Sequence, residues 1–202
     1  MSEDIRKMID KVRQFDSDTD NLNIKSGVNY IYQQHPELST IGTQEEYSQY
    51  LDTIFPDSQV KDIVYHSTNA KEIEGGELRP SREGVYGSGI YVQTNREFTS
   101  NFGSTILSLI INTKSPFDYY KKNGQRNDFF TKILEKWRKT NKFYFAEAAK
   151  EEFQDEIKKV GFDSIKTDEP GNNSYYILFE PKQIHILGIK NDIEGFKKFI
   201  KN

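Results

Sequence analysis

Three short stretches of this 202-residue chain concentrate the side chains that chemistry uses. Tyr65-His66-Ser67-Thr68 sets an imidazole beside two hydroxyls at what reads as a strand end. Tyr86-Gly87-Ser88-Gly89-Ile90-Tyr91 puts two glycines just ahead of a second strand, with Thr94, Thr99 and Phe102 beyond it. Ser174-Tyr175-Tyr176-Ile177-Leu178-Phe179 is a strand unusually rich in rings. Glycines let backbone amides come close to a ligand, and His, Ser and Thr offer neutral hydrogen bonds. Tyr91 and Phe102, a short helix apart, can clamp a flat aromatic heterocycle. Singly, each stretch has an ordinary reading: a boundary histidine, a tight turn, common β-formers. Together they describe a neutral, ring-lined pocket, better suited to a flat ring than to a bare phosphate.

The elements that must position these residues follow from periodicity. Ile5, Met8, Ile9, Val12 and Phe15 share one helical face, as do Tyr47, Tyr50, Leu51, Ile54 and Phe55 before Pro56. A weaker helix is expected between Ser26 and Gln34. From residue 60 the texture changes to short strands: Val60 to Tyr65, Ile90 to Gln93, and Ile106 to Ile111, whose near-continuous apolarity predicts burial on both faces. A two-turn helix is expected from Asn95 to Phe102, ended by Gly103. Asn127 or Asp128 caps a helix that buries Phe130, Ile133, Leu134 and Trp137. A further helix runs from Phe145 to Val160 and stops at Gly161. Strands at 162–166, 175–179 and 183–187 follow, and a last helix is capped by Asn191 with Glu194. The class is α+β, a mixed sheet with flanking helices. Residues 1–59 are expected as a helical extension packed on a domain of residues 60–202.

Composition excludes several chemistries. There is no cysteine, so disulfides, thiolate metal sites and cysteine nucleophiles are ruled out. The three histidines stand far apart, and no metal motif is read. A net charge of -3 gives no broad electrostatic grip on nucleic acid or anionic lipid. No apolar signal segment opens the chain and no run approaches ~20 apolar residues, so a cytoplasmic location is expected, with no membrane. No glycine fingerprint or P-loop lysine supports a doubly wound nucleotide fold.

The order and spacing of the motifs resemble the ADP-ribosyltransferase superfamily, in its diphtheria-toxin and poly(ADP-ribose) polymerase branch. That branch has a strand ending in His-Gly-Ser/Thr, a Gly-x-Gly-Ile-Tyr-Phe strand, and a late Glu-Tyr-Ile/Val-Val-Tyr/Phe strand followed by Gln-Ile/Val. This chain reads His66-Ser67-Thr68, Gly87-Ser88-Gly89-Ile90-Tyr91-Val92, and Tyr175 to Phe179 followed by Gln183-Ile184. Gly161-Phe162-Asp163-Ser164-Ile165 is similar to a motif of small transferase domains in phage polyvalent proteins and bacterial effector-like proteins. The resemblance implies a split, mixed sheet that uses NAD as co-substrate and no metal. His66 then orients NAD through a ribose, Ser67 grips the carboxamide with its backbone, and Thr68 reaches the other ribose. Tyr91 and Phe102 stack on nicotinamide, Thr99 bonds its carboxamide, and Arg79 approaches the diphosphate or adenine. Tyr65 and Gly89 complete the expected cofactor set, and His66, Tyr91 and Tyr175 form the catalytic one.

One departure bears on activity. The family's catalytic glutamate falls on Tyr175, which carries no charge at pH 7 to stabilise an oxocarbenium-like transition state. Glu180 lies five residues on, an odd number of steps along a strand region, and so on the opposite face. Glu147, Glu151, Asp168 and Glu169 are candidates for a carboxylate from another element. The main reading is mono-ADP-ribosylation of a macromolecule, a protein rather than nucleic acid. A catalytically inactive protein-binding module on the same fold and an NAD glycohydrolase are the alternatives.

Overall fold

The computed structural model describes residues 24–69, 77–82, 84–120, 124–139, 145–169 and 173–202. The expected helix over residues 5–15 lies outside the described residues, as do the side chains of Glu147 and Glu169. Helices α1 (Val28–Gln34) and α2 (Gln44–Ile54) are followed by β1 (Val64–Thr68), β2 (Ile90–Gln93), the single-turn α3 (Arg96–Thr99), β3 (Thr105–Ile111) and β4 (Pro116–Asp118). Then come α4 (Asp128–Arg138), α5 (Phe145–Lys159), β5 (Ser164–Glu169), β6 (Asn173–Leu178), β7 (Ile184–Ile186) and α6 (Lys190–Lys201). The fold is α+β: one seven-stranded mixed sheet in the order β4-β5-β6-β2-β1-β3-β7, with helices flanking it. Among the described residues no helix is long and apolar enough to cross a membrane.

Alternation along the strands gives the sheet two chemically distinct faces. Val64, Ile90, Val92, Leu109, Ile111, Tyr176, Leu178 and Ile186 share one face and form a single core cluster, covered by Leu78, Val60 and Ile189 from connecting segments. The other face carries two helical layers. Over β1 and β3, α1, α2 and α6 bury Val28, Ile31, Tyr47, Leu51 and Phe196 against Tyr65 and Ile110. Over β4, β5 and β6, α4 and α5 bury Phe130, Ile133, Phe153 and Ile157 against Phe117, Ile165 and Ile177. The sheet also curls. The ends of β3 and β5 stand four strands apart in order, yet Thr113 Oγ1 donates to Asp163 Oδ1 at 3.0 Å and bonds Ser164.

Local chemistry accounts for most element boundaries. Thr43 and Glu46 form a reciprocal capping box at the start of α2, with Thr43 N donating to Glu46 Oε2 at 2.7 Å and Glu46 N to Thr43 Oγ1 at 3.2 Å. Asn127 caps α4 through the amide of Phe129. Four expectations are corrected. The helix from Asn95 is one turn only; it runs on to Phe102 through i→i−3 bonds. The first strand is displaced toward the C-terminus, so His66, Ser67 and Thr68 lie within β1 rather than after it. β3 is fully buried only over its last four residues. The last helix begins at Lys190 without a side-chain cap; Asp192 in its first turn accepts the Gly188 amide at 2.8 Å instead.

Candidate active-site cleft

Among the described residues β1 and β2 share one registered pair, Tyr65 with Gln93. Toward its start β2 changes partner: Gly89 exchanges both backbone hydrogen bonds with Ser81, at 2.9 and 3.0 Å. The two strands therefore diverge beside His66, whose Nδ1 lies 2.7 Å from the carbonyl oxygen of Tyr91. A carbonyl only accepts, so Nδ1 carries a proton and donates it to Tyr91 O. The contact bridges the two strands at the point where their pairing ends, and the gap beyond it is the candidate cleft.

Glycine is required where β2 begins. Gly89 has φ +150°, and a Cβ there stands 2.8 Å from the Leu178 carbonyl oxygen and 2.5 Å from Ile177. A Cβ on Gly87, at φ +106°, meets the Gln154 side chain. Gln154, buried on α5, clamps this loop: its Nε2 donates to Ser88 O at 2.8 Å and Tyr86 O at 3.3 Å, and its Oε1 accepts from Ser88 Oγ at 3.0 Å. The Tyr91 hydroxyl closes the same loop, donating to Gly87 O at 2.6 Å and accepting from Tyr86 N at 3.0 Å. Burial raises the Tyr91 hydroxyl's pKa above its ordinary value, so it stays protonated. Gln154 escaped the sequence reading because its spacing marks it only as one polar residue among many on α5.

Register places Ser67, Tyr91, Gln93 and Tyr175 on one sheet face, and His66 and Thr68 on the other. Tyr65, on the Tyr91 face, packs into the cluster of α1 and α2. Thr68 is buried and donates to Asn69 O at 3.1 Å; its backbone lies so close to Gly103 that a Cβ there falls 2.8 Å from Thr68 N. Thr99 is buried too, with Oγ1 donating to Asn95 O at 2.7 Å. Arg79 is exposed on the segment leading to Ser81. Tyr175 is 8% exposed and sits edge-on to Phe98 at 6.2 Å; Phe98 in turn touches Phe102 at 5.7 Å, and Phe102 is 60% exposed. The rings of Tyr175, Phe98 and Phe102 thus run from the sheet to solvent as one apolar wall.

Of the carboxylates considered for that wall, the described ones, Asp168, Glu180 and Glu151, go elsewhere. Asp168 is on the opposite face from Tyr175, accepting from Ser174 Oγ at 2.6 Å and pairing with Lys166 at 3.1 Å. Burial opposes its charge, but those two partners hold its carboxyl below the usual carboxylate range. Glu180 caps the turn before β7 and pairs with Lys182, and Glu151 is exposed. Of the residues whose side chains are described, no strand residue on the Tyr175 face is an acid. Among the described residues there is also no group of three His, Asp or Glu able to hold a metal ion.

Residues 57–191 match the family of ADP-ribosyltransferases in polyvalent proteins. The chain belongs to that family. Its split sheet, with β1 and β2 parting at His66, is the architecture on which the ADP-ribosyltransferase motifs read in the sequence are arranged. A crystal structure of an anti-CRISPR protein is similar over 62% of this chain and 94% of its own, at 12% identity and a TM-score of 0.36. No curated protein matches the chain.

Proposed function

We propose that this ADP-ribosyltransferase-family chain is a protein-binding module in which glycosyl transfer has been lost. The observation that carries this reading is the apolar wall of Tyr175, Phe98 and Phe102. Breaking the bond between nicotinamide and ribose develops positive charge, and a fixed carboxylate is what stabilises it. Tyr175 is neutral and nearly buried, and Asp168 is spent on Lys166 and Ser174 across the sheet. Exposed Phe102 and Val85, 60% and 72% accessible, offer apolar contact to a protein, while a net charge of -3 disfavours nucleic acid.

The residues present fit the nicotinamide half of NAD. The bond to Tyr91 O fixes the His66 ring beside the point where β1 and β2 part, and Phe102 offers an exposed ring face. When bound, NAD supplies an electrophilic ribose carbon; these side chains hold and orient it. That fit favours a second reading, mono-ADP-ribosyl transfer to a macromolecule. Labelled NAD is added to a bacterial lysate with wild type, Tyr175→Glu and His66→Ala. Wild type is expected to label nothing and release no nicotinamide. Labelling by wild type that disappears in His66→Ala overturns the module and establishes the transferase; nicotinamide release without labelling establishes a glycohydrolase. Release gained by Tyr175→Glu alone supports a pocket that lacks only its charge.

A further inference from the structure

We infer that a second groove, separate from the His66–Tyr91 cleft, is a binding site for a nucleoside monophosphate. It has a volume of about 490 Å³, within the range of small-molecule pockets. Its walls come from the ends of β3, α5 and β6 and from the segments leading into β5 and β7. None of the residues bordering it frames the cleft. Lys114, Lys158 and Lys182 bring three ammonium groups and Phe162 and Phe179 two rings, beside Asn112 and the carboxylates of Asp163 and Glu180.

Three features select the ligand class. First, the charges are unequally engaged. Lys158 Nζ sits 4.5 Å from the Phe179 ring centre and has no carboxylate partner among the described residues. Lys114 and Lys182 do have partners, Asp57 at 2.9 Å and Glu180 at 2.5 Å, but these are exposed ion pairs, weak enough to exchange for a dianion. Second, both acids of the groove are engaged: Glu180 pairs with Lys182, and Asp163 is saturated. Its Oδ2 accepts Lys114 N at 2.6 Å, and its Oδ1 accepts Ser115 N at 3.2 Å and one of the two mutually bonded hydroxyls of Thr113 and Ser164, which lie 3.0 and 3.2 Å away. It therefore repels an anion less than a free carboxylate does. Third, Asn112 Oδ1 is buried without a hydrogen-bond partner among the described residues. An unmatched acceptor in this wall calls for an N–H or O–H donor, which the base or ribose of a nucleotide carries and its own phosphate dianion does not.

The floor is rigid enough to preserve this arrangement. Gln183 accepts from Phe179 N and Glu180 N, both at 3.0 Å, and donates to Asn112 O at 3.0 Å and Asp163 O at 2.9 Å. One side chain thus fixes the ends of β3 and β6 and the approach to β5. A phosphate among the three ammonium groups, with a base against Phe179, satisfies both the charge and the ring.

The test is isothermal titration of the full chain with AMP, adenosine and inorganic phosphate, on wild type, Lys158→Gln, Phe179→Leu and His66→Ala. AMP is expected to bind at least tenfold more tightly than adenosine or phosphate. Lys158→Gln is expected to weaken AMP about tenfold without lowering the melting temperature, and Phe179→Leu to weaken it as well. His66→Ala is expected to leave AMP binding unchanged. No heat with AMP at millimolar concentration overturns the proposal. Equal binding of phosphate alone, indifference to Lys158→Gln, or loss in His66→Ala overturns it too, the last by moving the nucleotide to the family cleft. The outcome is independent of whether the chain transfers ADP-ribose.

Discussion

Removing the carboxylate of Asp192 is expected to be among the most damaging single changes in this chain. The residue is fully buried in α6, and it joins three elements. Its Oδ2 accepts from the Tyr47 hydroxyl of α2 at 2.6 Å and from Gly188 N at 2.8 Å, while Oδ1 lies 2.8 Å from Nε2 of His185 on β7. The Tyr47 hydroxyl is driven far above its ordinary pKa, by burial first and by the Asp192 charge second, so it remains a donor at any working pH. Asp192→Ala strands two buried donors and half-buried His185, at about 1–3 kcal/mol for each buried donor. The sum is about 3–5 kcal/mol, the scale measured when one partner of a buried pair is deleted. For a chain of this length each kcal/mol lowers the melting temperature by about 2–4 °C, so a loss of roughly 10 °C is expected. Asp192→Asn separates charge from geometry. Its oxygen still accepts from Tyr47 and Gly188, and its amide donates to His185 Nε2 once that imidazole holds its proton on Nδ1. It is expected to cost less than half as much. Thermal and urea unfolding followed by near-ultraviolet circular dichroism, which reports the tyrosines, measures both variants. If the two cost the same, or if Asp192→Ala costs under about 1 kcal/mol, the network does not hold the helical layer as argued.

Gly89→Ala is expected to destabilise by about 2 kcal/mol or more, since its Cβ meets both the stiff, β-branched Ile177 side chain and the Leu178 carbonyl and its φ is positive; a urea melt within 0.5 kcal/mol of wild type contradicts the close approach to Leu178. Gln154→Leu keeps the volume but orphans the carbonyls of Tyr86 and Ser88, at about 1–3 kcal/mol, and amide exchange is expected to accelerate selectively over residues 85–89. Asp168→Asn is a pH test. The folded carboxyl sits below its unfolded value, so its contribution is present above about pH 4 and lost as pH falls through the folded value. Wild type and variant should accordingly converge in acid and differ at neutral pH, with identical curves counting against the Ser174 and Lys166 contacts.

Much of the local structure is written in the chain. The spacing of Tyr47, Tyr50 and Leu51 with Pro56 behind them defines α2, Asn127 starts α4, and Gly87 and Gly89 announce a backbone that other residues rarely adopt. The order of the histidine, glycine and ring-rich motifs also indicated the family, because those residues sit at fixed steps along short strands. A strand such as β4 left no such trace: Pro116–Asp118 is three residues long and exists through its parallel pairing with β5, nearly fifty positions away.

What the tertiary structure alone decided is which groups meet. Alternation says that neighbours on a strand face opposite ways, but not which face a cleft uses. Pairing fixes that, bringing Tyr91, Gln93 and Tyr175 onto one face and sending Asp168 to the other. Gln154 clamping a loop 66 residues earlier, Gln183 binding Asn112 71 residues back, and Asp192 joined to Tyr47 across 145 residues carry no local signature. Each is a polar side chain on a helix or turn until folding strips its water and leaves only one set of partners that can satisfy it. Sequence determines which hydrogen-bonding groups exist and how they are spaced; burial decides which of them must find one another.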